Sequence, residues 1–146
     1  HLLYENELMQ VLLNLIKNAV DNFKLSNQEN KLLKVSTLNE NGIIKIVVKD
    51  NGGGIANDIK DKVFEPYFST KDEKNGTGLG LYMSKVIVEQ YQDGKLYFEN
   101  KDEGVEFVIE LKDNKLWNYL ILWIFNKGND PNSLKKESKN LFSKNL

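Results

Sequence analysis

Apolar residues recur along residues 5–23 (ENELMQVLLNLIKNAVDNF) at Leu8, Val11, Leu12, Leu15, Ile16, Ala19 and Phe23. That i, i+3, i+4, i+7 spacing predicts an amphipathic helix. Residues 24–32 are polar and aperiodic and read as an exposed connection. LKVSTL and, past Glu40-Asn41-Gly42, IIKIVVKD are rich in β-branched residues and predict two strands joined by a turn. Asp50 to Gly54 (DNGGG) breaks the second strand. IANDIKDKVF then suits a short helix ending before Pro66, because the residue before proline avoids helical dihedrals. Residues 67–75 read as a loop, and GTGLG at 76–80 leads into a second long helix over LYMSKVIVEQY, stopped by Gly94. KLYFEN and VEFVIELK alternate with period two around a turn at 101–104, as an antiparallel pair does. This order predicts an α/β fold: a two-layer sandwich of a mixed sheet covered on one face by helices.

The domain reading is residues 1–112, with 113–146 as an atypical extension. There the apolar run KLWNYLILWIF gives way to a Lys/Asn-rich stretch. The run is about half the ~20 residues a helix needs to span a bilayer. A helix packing on the sheet or a partner is favoured over one lying in a membrane interface through Trp117, Tyr119 and Trp123. The opening HLLYENELMQ has neither an initiator Met nor a basic-then-apolar leader, so no signal peptide is expected and the chain reads as part of something longer.

Composition narrows the chemistry. The 146 residues suit one domain with a real core. The formal charge of -1 gives no footprint for nucleic-acid binding. Every Lys+Arg residue is Lys, so phosphate would have to be held by Lys, backbone N–H groups or metal. The absence of Cys excludes thiolate chemistry, and a single histidine, His1, excludes a His-rich zinc site. A reducing cytoplasm is permitted.

Four patterns stand in order: NLIKNA at 14–19, DNGGG at 50–54, FEPYF at 64–68 and GTGLGL at 76–81. Asn14 and Asn18 lie four apart on one helical face, where amide oxygens beside a triphosphate can hold magnesium. Taken alone, two solvated or capping asparagines on an Asn-rich chain are the favoured explanation. Asp50 at a strand end would need a donor such as an adenine amino group if it points inward, although an acidic turn is the commoner use of such a sequence. Gly52, Gly53 and Gly54 let backbone approach a planar ring. Gly76, Gly78 and Gly80, at alternate positions before a helix, would expose N–H groups to polyphosphate, with a merely flexible loop as the alternative. The spacing is neither a P-loop nor a dinucleotide fingerprint.

The ordered set NLIKNA, DNGGGI, FEPYFSTK, GTGLGLYMSK resembles the catalytic ATP-binding domain of bacterial sensor histidine kinases, within the superfamily of gyrase, Hsp90 and MutL, over about residues 5–112. The resemblance implies a Bergerat-type sandwich, ATP and Mg2+ as cofactors, and γ-phosphoryl transfer to a histidine on a separate helical dimerisation domain, with a response regulator downstream. It makes Asn18 the magnesium ligand and Asn14 a contact beside it. Asp50 becomes the adenine acceptor, with Gly52 and Gly54 shaping its pocket. Phe64 and Phe68 become the aromatic hinge of a short lid at 69–75. Gly76, Thr77, Gly78, Leu79 and Gly80 line the triphosphate, and Lys71 reaches its terminal phosphate. The lid is short, as in kinases of the nitrogen-regulation type. Members that place Arg near the lid find here only Lys71, Lys74 and Lys85. Hydrolysing relatives carry a Glu four residues before the magnesium asparagine. Asn14 stands there and cannot take a proton, so phosphoryl transfer is favoured over hydrolysis. His1 reads as a boundary residue, which leaves the phosphoacceptor elsewhere. A stand-alone serine kinase of the anti-sigma-factor type and a non-catalytic nucleotide-binding module are the alternatives. The expected location is the cytoplasm, including the cytoplasmic part of a membrane-bound sensor.

Overall fold

A computed structural model describes residues 3–71 and 76–112. The chain divides into units at residues 1–112 and 113–146. His1, Lys74 and the whole extension, with its proposed helix, lie outside the described residues. Helix α1 (Leu3–Leu25) is followed by strands β1 (Leu33–Glu40) and β2 (Ile43–Asp50). Helix α2 (Gly80–Val86) continues as a π-helical turn, Ile87–Tyr91, and strands β3 (Lys95–Lys101) and β4 (Gly104–Lys112) close the domain.

The stripe read from the sequence is the buried face of α1. Leu8, Val11, Leu12, Leu15, Ala19 and Phe23 are buried, and Ile16 lies at its margin. Opposite them β2 sends Ile44, Ile46, Val48 and Asp50 inward, and β4 sends Val105, Phe107, Ile109 and Leu111. Each such aliphatic side chain contributes about 1.5–3 kcal/mol by leaving water. The alternate positions carry cross-strand ion pairs, Lys49–Glu106 at 3.0 Å and Lys45–Glu110 at 3.5 Å. On that face the ion pairs flank Val47 and the buried Val108.

The β1–β2 connection is the expected hairpin. Glu40 pairs with Ile43, and Asn41 and Gly42 take φ of 52° and 78°, the pair of positive values that a two-residue hairpin turn matched to strand twist requires. The sheet order is β1-β2-β4-β3, and all three pairings are antiparallel. The expectation of a mixed sheet is therefore corrected among the described residues. The long connection through α2 does bring β3 back parallel in direction to β2. β4 then turns in a two-residue loop and inserts between them, so each contact is antiparallel.

Residues 55–64 also differ from expectation. Instead of a helix they form successive turns, with Ile59 N–H donating to Ala56 O (3.2 Å), Lys62 to Ile59 O (2.9 Å) and Glu65 to Lys62 O (2.9 Å). Only Val63 is buried along this segment. One fully buried side chain does not give the wide apolar face that sustains a short helix. The second helix keeps its predicted span but widens into the π-helical turn after Val86. That turn delivers Gly94 against β4, where an added Cβ would lie 2.5 Å from Glu110 O.

Candidate functional site

A cavity of about 260 Å³ opens on the helix side of the sheet, a little below the ~300–1,000 Å³ usual for small-molecule sites. Its walls draw on all four patterns singled out in the sequence, backed by Val105 and Phe107 of β4. α1 contributes Asn14, Lys17, Asn18, Asp21 and Asn22; the loop after β2 contributes Gly54 and Ile55; Phe68 to Lys71 and Gly76 to Gly78, with Gly80, form the far side. The helical period explains the first set: residues 14, 18, 21 and 22 share a face, so the stripe of polar groups continues one turn past the asparagines.

Asn14 donates through Nδ2 to Ser84 Oγ at 3.4 Å, tying α1 to α2 at a serine that is fully buried. Asn18 Oδ1 accepts from Lys71 Nζ at 3.4 Å. The same ammonium pairs with Asp21 Oδ2 at 2.9 Å. A cation thus already stands against two oxygens of α1. Lys71 holds the Asp21 carboxyl below the usual carboxylate range, against the opposing effect of partial burial, with Lys24 adding to the lowering.

Asp50 and Gly52 do not line the cavity; they lie beside it. Asp50 pairs in register with Val105, which does line it, and is 3% exposed. One oxygen accepts from Gly52 N–H at 2.8 Å. Burial pushes the carboxyl up from its ordinary value, with the Gly52 bond pulling the other way. The second oxygen of Asp50 is not a buried atom left without a partner; among the described residues Glu7 Oε2 alone is. A Cβ on Gly52 would stand 3.1 Å from the first oxygen.

The loop beyond Asp50 is held by two asparagines the sequence reading passed over. Asn51 accepts from Leu32 N–H (2.8 Å) and donates to Asn30 O (2.7 Å). Asn100 accepts from Ile55 N–H (2.9 Å) and donates to Ile55 O (2.7 Å). Gly54, at φ 72°, lies so close to Asn100 and Gly104 that a Cβ would stand 3.1 Å from each. Glycine satisfies both the dihedral and the space.

The GTGLG glycines are not equivalent. Gly78, at φ 68°, leaves 2.3 Å between a Cβ and the carbonyl carbon of Tyr67, and Gly76 leaves 2.4 Å to Ser69 Oγ. Gly80 faces open space. Two glycines therefore let the turn fold against residues 67–71, and the third keeps the cavity clear. Leu79 caps α2 without a side-chain bond and does not line the cavity. Thr77 does, and its Oγ1 accepts from Leu79 N–H at 3.4 Å.

The two phenylalanines of FEPYF part company. Phe68 lines the cavity; Phe64 packs on the sheet, 6.1 Å from Phe98 and edge-on to Phe107 at 6.5 Å between ring centroids. Lys85 sits 4.8 Å above the Phe64 ring and bonds Glu89 (2.7 Å) and Leu96 O (3.1 Å). It is thereby withdrawn from the set of cations near the cavity, where the described lysines are Lys71 and Lys17. Lys17, Asp21 and Ser84 escaped the sequence reading. Asp21 was reachable by extending the asparagine face one turn, whereas Ser84 required knowing which helices touch.

Among the described residues no group of three or more His, Asp or Glu side chains could hold a metal ion. A cation at this site would draw on amide oxygens, one carboxylate, water and the ligand's own phosphates, a donor set that fits magnesium. The lysine ammonium already standing at Asn18 and Asp21 marks where positive charge is accepted. Also among the described residues, no helix is long and apolar enough to cross a membrane.

A two-layer sandwich whose asparagine-bearing helix, glycine turn and Phe68–Lys71 segment meet at one cavity is of the nucleotide-binding class. The chain belongs to the family of histidine kinase-, DNA gyrase B- and HSP90-like ATPases, whose pattern matches residues 4–115, and the domain is ATP-binding. It is similar to the two-component sensor PprA of Pseudomonas aeruginosa, 40% identical over 110 residues, 73% of this chain and 12% of that protein. A probable C4-dicarboxylate sensor kinase of Halalkalibacterium halodurans is 37% identical over 107 residues, 73% of this chain and 20% of its own length. This chain therefore spans a minor part of such relatives. Among solved structures, the nucleotide-free catalytic domain of histidine kinase ThkA matches with a TM-score of 0.62 at 34% identity, over 73% of this chain and 66% of that one. ThkA in complex with the response regulator TrrA matches at 0.55 and 30%, over 72% and 28%. The domain is of the type that forms the catalytic ATP-binding part of sensor histidine kinases.

Proposed function

We propose that the domain binds Mg-ATP in this cavity and transfers the γ-phosphoryl group to a histidine on a separate helical dimerisation domain, from which a response regulator is served. The observation that carries the reading is the convergence of Asn14, Asn18, Lys71 and the glycine turn on one cavity with Asp50 beside it. Asp50 accepts from the adenine amine with the oxygen that Gly52 leaves free, and Gly52 and Gly54 keep the ring's approach open. Gly76, Thr77, Gly78 and Gly80 offer backbone N–H groups to the triphosphate at the start of α2, whereas the Leu79 N–H is taken by Thr77 Oγ1. Lys71 answers the terminal phosphate. Phe68 closes the cavity wall while Phe64 anchors the lid's base to the sheet.

Asn18, with Asn14 beside it, would hold magnesium, which supplies charge neutralisation to the phosphates when bound. Phosphoryl transfer needs chiefly position and neutralised charge. Asn14, an amide, has no means of removing a proton from water, so the acceptor must come from the partner. ATP supply places the domain in the cytoplasm.

Incubation with radiolabelled ATP tests the reading. The isolated domain should turn over ATP far more slowly than the ~1–100 s⁻¹ of typical kinases. With a cognate dimerisation domain it should give acid-labile, base-stable phosphate on histidine. Acid-stable phosphate on a partner serine would favour the serine-kinase alternative, binding without transfer the non-catalytic module, and rapid hydrolysis a hydrolase.

A further inference from the structure

The lid lysine does not wait free in the cavity. Lys71 Nζ lies 2.9 Å from Asp21 Oδ2 and 3.4 Å from Asn18 Oδ1, and both members of the ion pair are only 18% exposed. The contact joins Lys71 to α1 across fifty residues of sequence. On the lid side the turn is fixed by Lys71 N–H donating to Ser69 Oγ at 3.1 Å. Asp21's other oxygen meets Lys24 at 3.2 Å, but that lysine is 72% exposed and its contribution is largely screened.

We propose that Asp21 is a positioning residue that exchanges cations: it holds Lys71 against α1 when no nucleotide is bound, and releases it to the terminal phosphate when Mg2+ enters beside Asn18. The inference rests on the Mg-ATP reading above. A divalent cation beside Asn18 would compete with the Lys71 ammonium for Asn18 Oδ1 and Asp21 Oδ2, the two oxygens that Lys71 Nζ meets at 3.4 and 2.9 Å. With those oxygens engaged by magnesium, Lys71 would be free to answer the charge of the terminal phosphate. Metal-free nucleotide gains no such exchange. It meets a lysine already neutralised by Asp21 and a carboxylate that repels its phosphates. Asp21 thus makes the site selective for the magnesium complex over free nucleotide, and it does so without touching the base.

Titration calorimetry with ATP in magnesium and in chelator, on the wild-type domain, Asp21→Asn and Lys71→Met, tests this. Chelation should weaken wild-type binding by about a hundredfold but Asp21→Asn binding by about tenfold or less, because the repulsion and the competing pair are gone. In chelator the two variants should move in opposite directions, Asp21→Asn binding tighter than wild type and Lys71→Met weaker. A residue with a merely structural role would weaken both conditions alike. Hydrogen exchange at residues 69–71 of the ligand-free protein should quicken in both variants. If wild type binds ATP and Asp21→Asn shows the wild-type ratio between magnesium and chelator, the exchange is overturned and the Mg-ATP reading stands. If wild type binds no ATP, the reading beneath it falls. Should Asp21→Asn not fold, Lys71→Met decides alone: unchanged or tighter binding in chelator overturns the proposal.

Discussion

Replacing Asp50 by Asn should move ligand affinity and ligand-free stability in opposite directions. The side chain is 3% exposed, with one oxygen committed to Gly52 N–H at 2.8 Å. An asparagine can keep that bond through its own Oδ1. It then presents an NH2 group where the second carboxylate oxygen accepted the adenine amine, donor against donor. The loss is one hydrogen bond to a charged acceptor, about 1.5–3 kcal/mol, or roughly a tenfold to hundredfold loss in affinity. GTP should bind poorly to the wild-type domain, because its ring carries a carbonyl where adenine carries the amine.

Stability runs the other way. Burial raises the folded-state pKa of Asp50 above its ordinary 3.8. The stability tied to its protonated form is complete below that ordinary value and is lost as pH rises through the folded value. At neutral pH the wild type carries the whole cost of a buried charge, and Asp50→Asn carries none. Calorimetry with ATP and GTP, beside thermal melts of the ligand-free proteins from pH 4 to 8, measures both. The variant should lose ATP, melt no lower than wild type at pH 7, and show a flatter pH dependence above pH 4. Equal wild-type affinity for ATP and GTP would refute the adenine assignment. A marked fall in melting temperature together with lost binding would make Asp50 a structural residue.

Asn18→Ala removes an amide oxygen from the cavity wall, and its ATP affinity should become insensitive to chelator, with an unchanged circular dichroism spectrum as the control. Gly78→Ala asks a Cβ to stand 2.3 Å from Tyr67 C at φ 68°; the strained dihedral alone costs about 1–3 kcal/mol, so the melt should fall and the lid should separate from the glycine turn, read as weaker ATP binding. Asp21 is lowered by Lys71, so its contribution is complete above the ordinary 3.8 and is lost as pH falls through the lowered value; acid unfolding of Asp21→Asn should lack that part of the wild-type transition. The Tyr97 phenol is pushed up to about 12 by burial and by Glu110, whose carboxylate accepts its proton at 2.8 Å. Glu110→Gln should bring its ultraviolet titration back toward 10.0, the ordinary value.

The sequence by itself determined the elements whose signal is local. The 3.6-residue stripe from Leu8 to Phe23 is the buried face of α1, because a helix can bury only what its own period aligns. Asn41-Gly42 makes the β1–β2 hairpin for an equally local reason: two adjacent residues must accept positive φ. The four polar and glycine patterns marked the segments that meet at the cavity, since residues chosen for a ligand do not fit the hydrophobic period around them. Residues 55–64 went astray because their polar spacing permits a helix and only the surface they pack on decides against one. What the tertiary structure decided was every relation between segments distant in the chain. β4 inserts between β2 and β3, which no strand's own pattern encodes. Phe64 is turned to the sheet and Phe68 to the cavity by where the turns sit on β3 and β4. Lys85, a promising cation in sequence, is taken by Glu89, Leu96 and a phenylalanine ring. Lys71 is taken by Asp21, fifty residues earlier. Charge pairing acts through space over a few ångströms, and only the folded backbone says which charges lie that close.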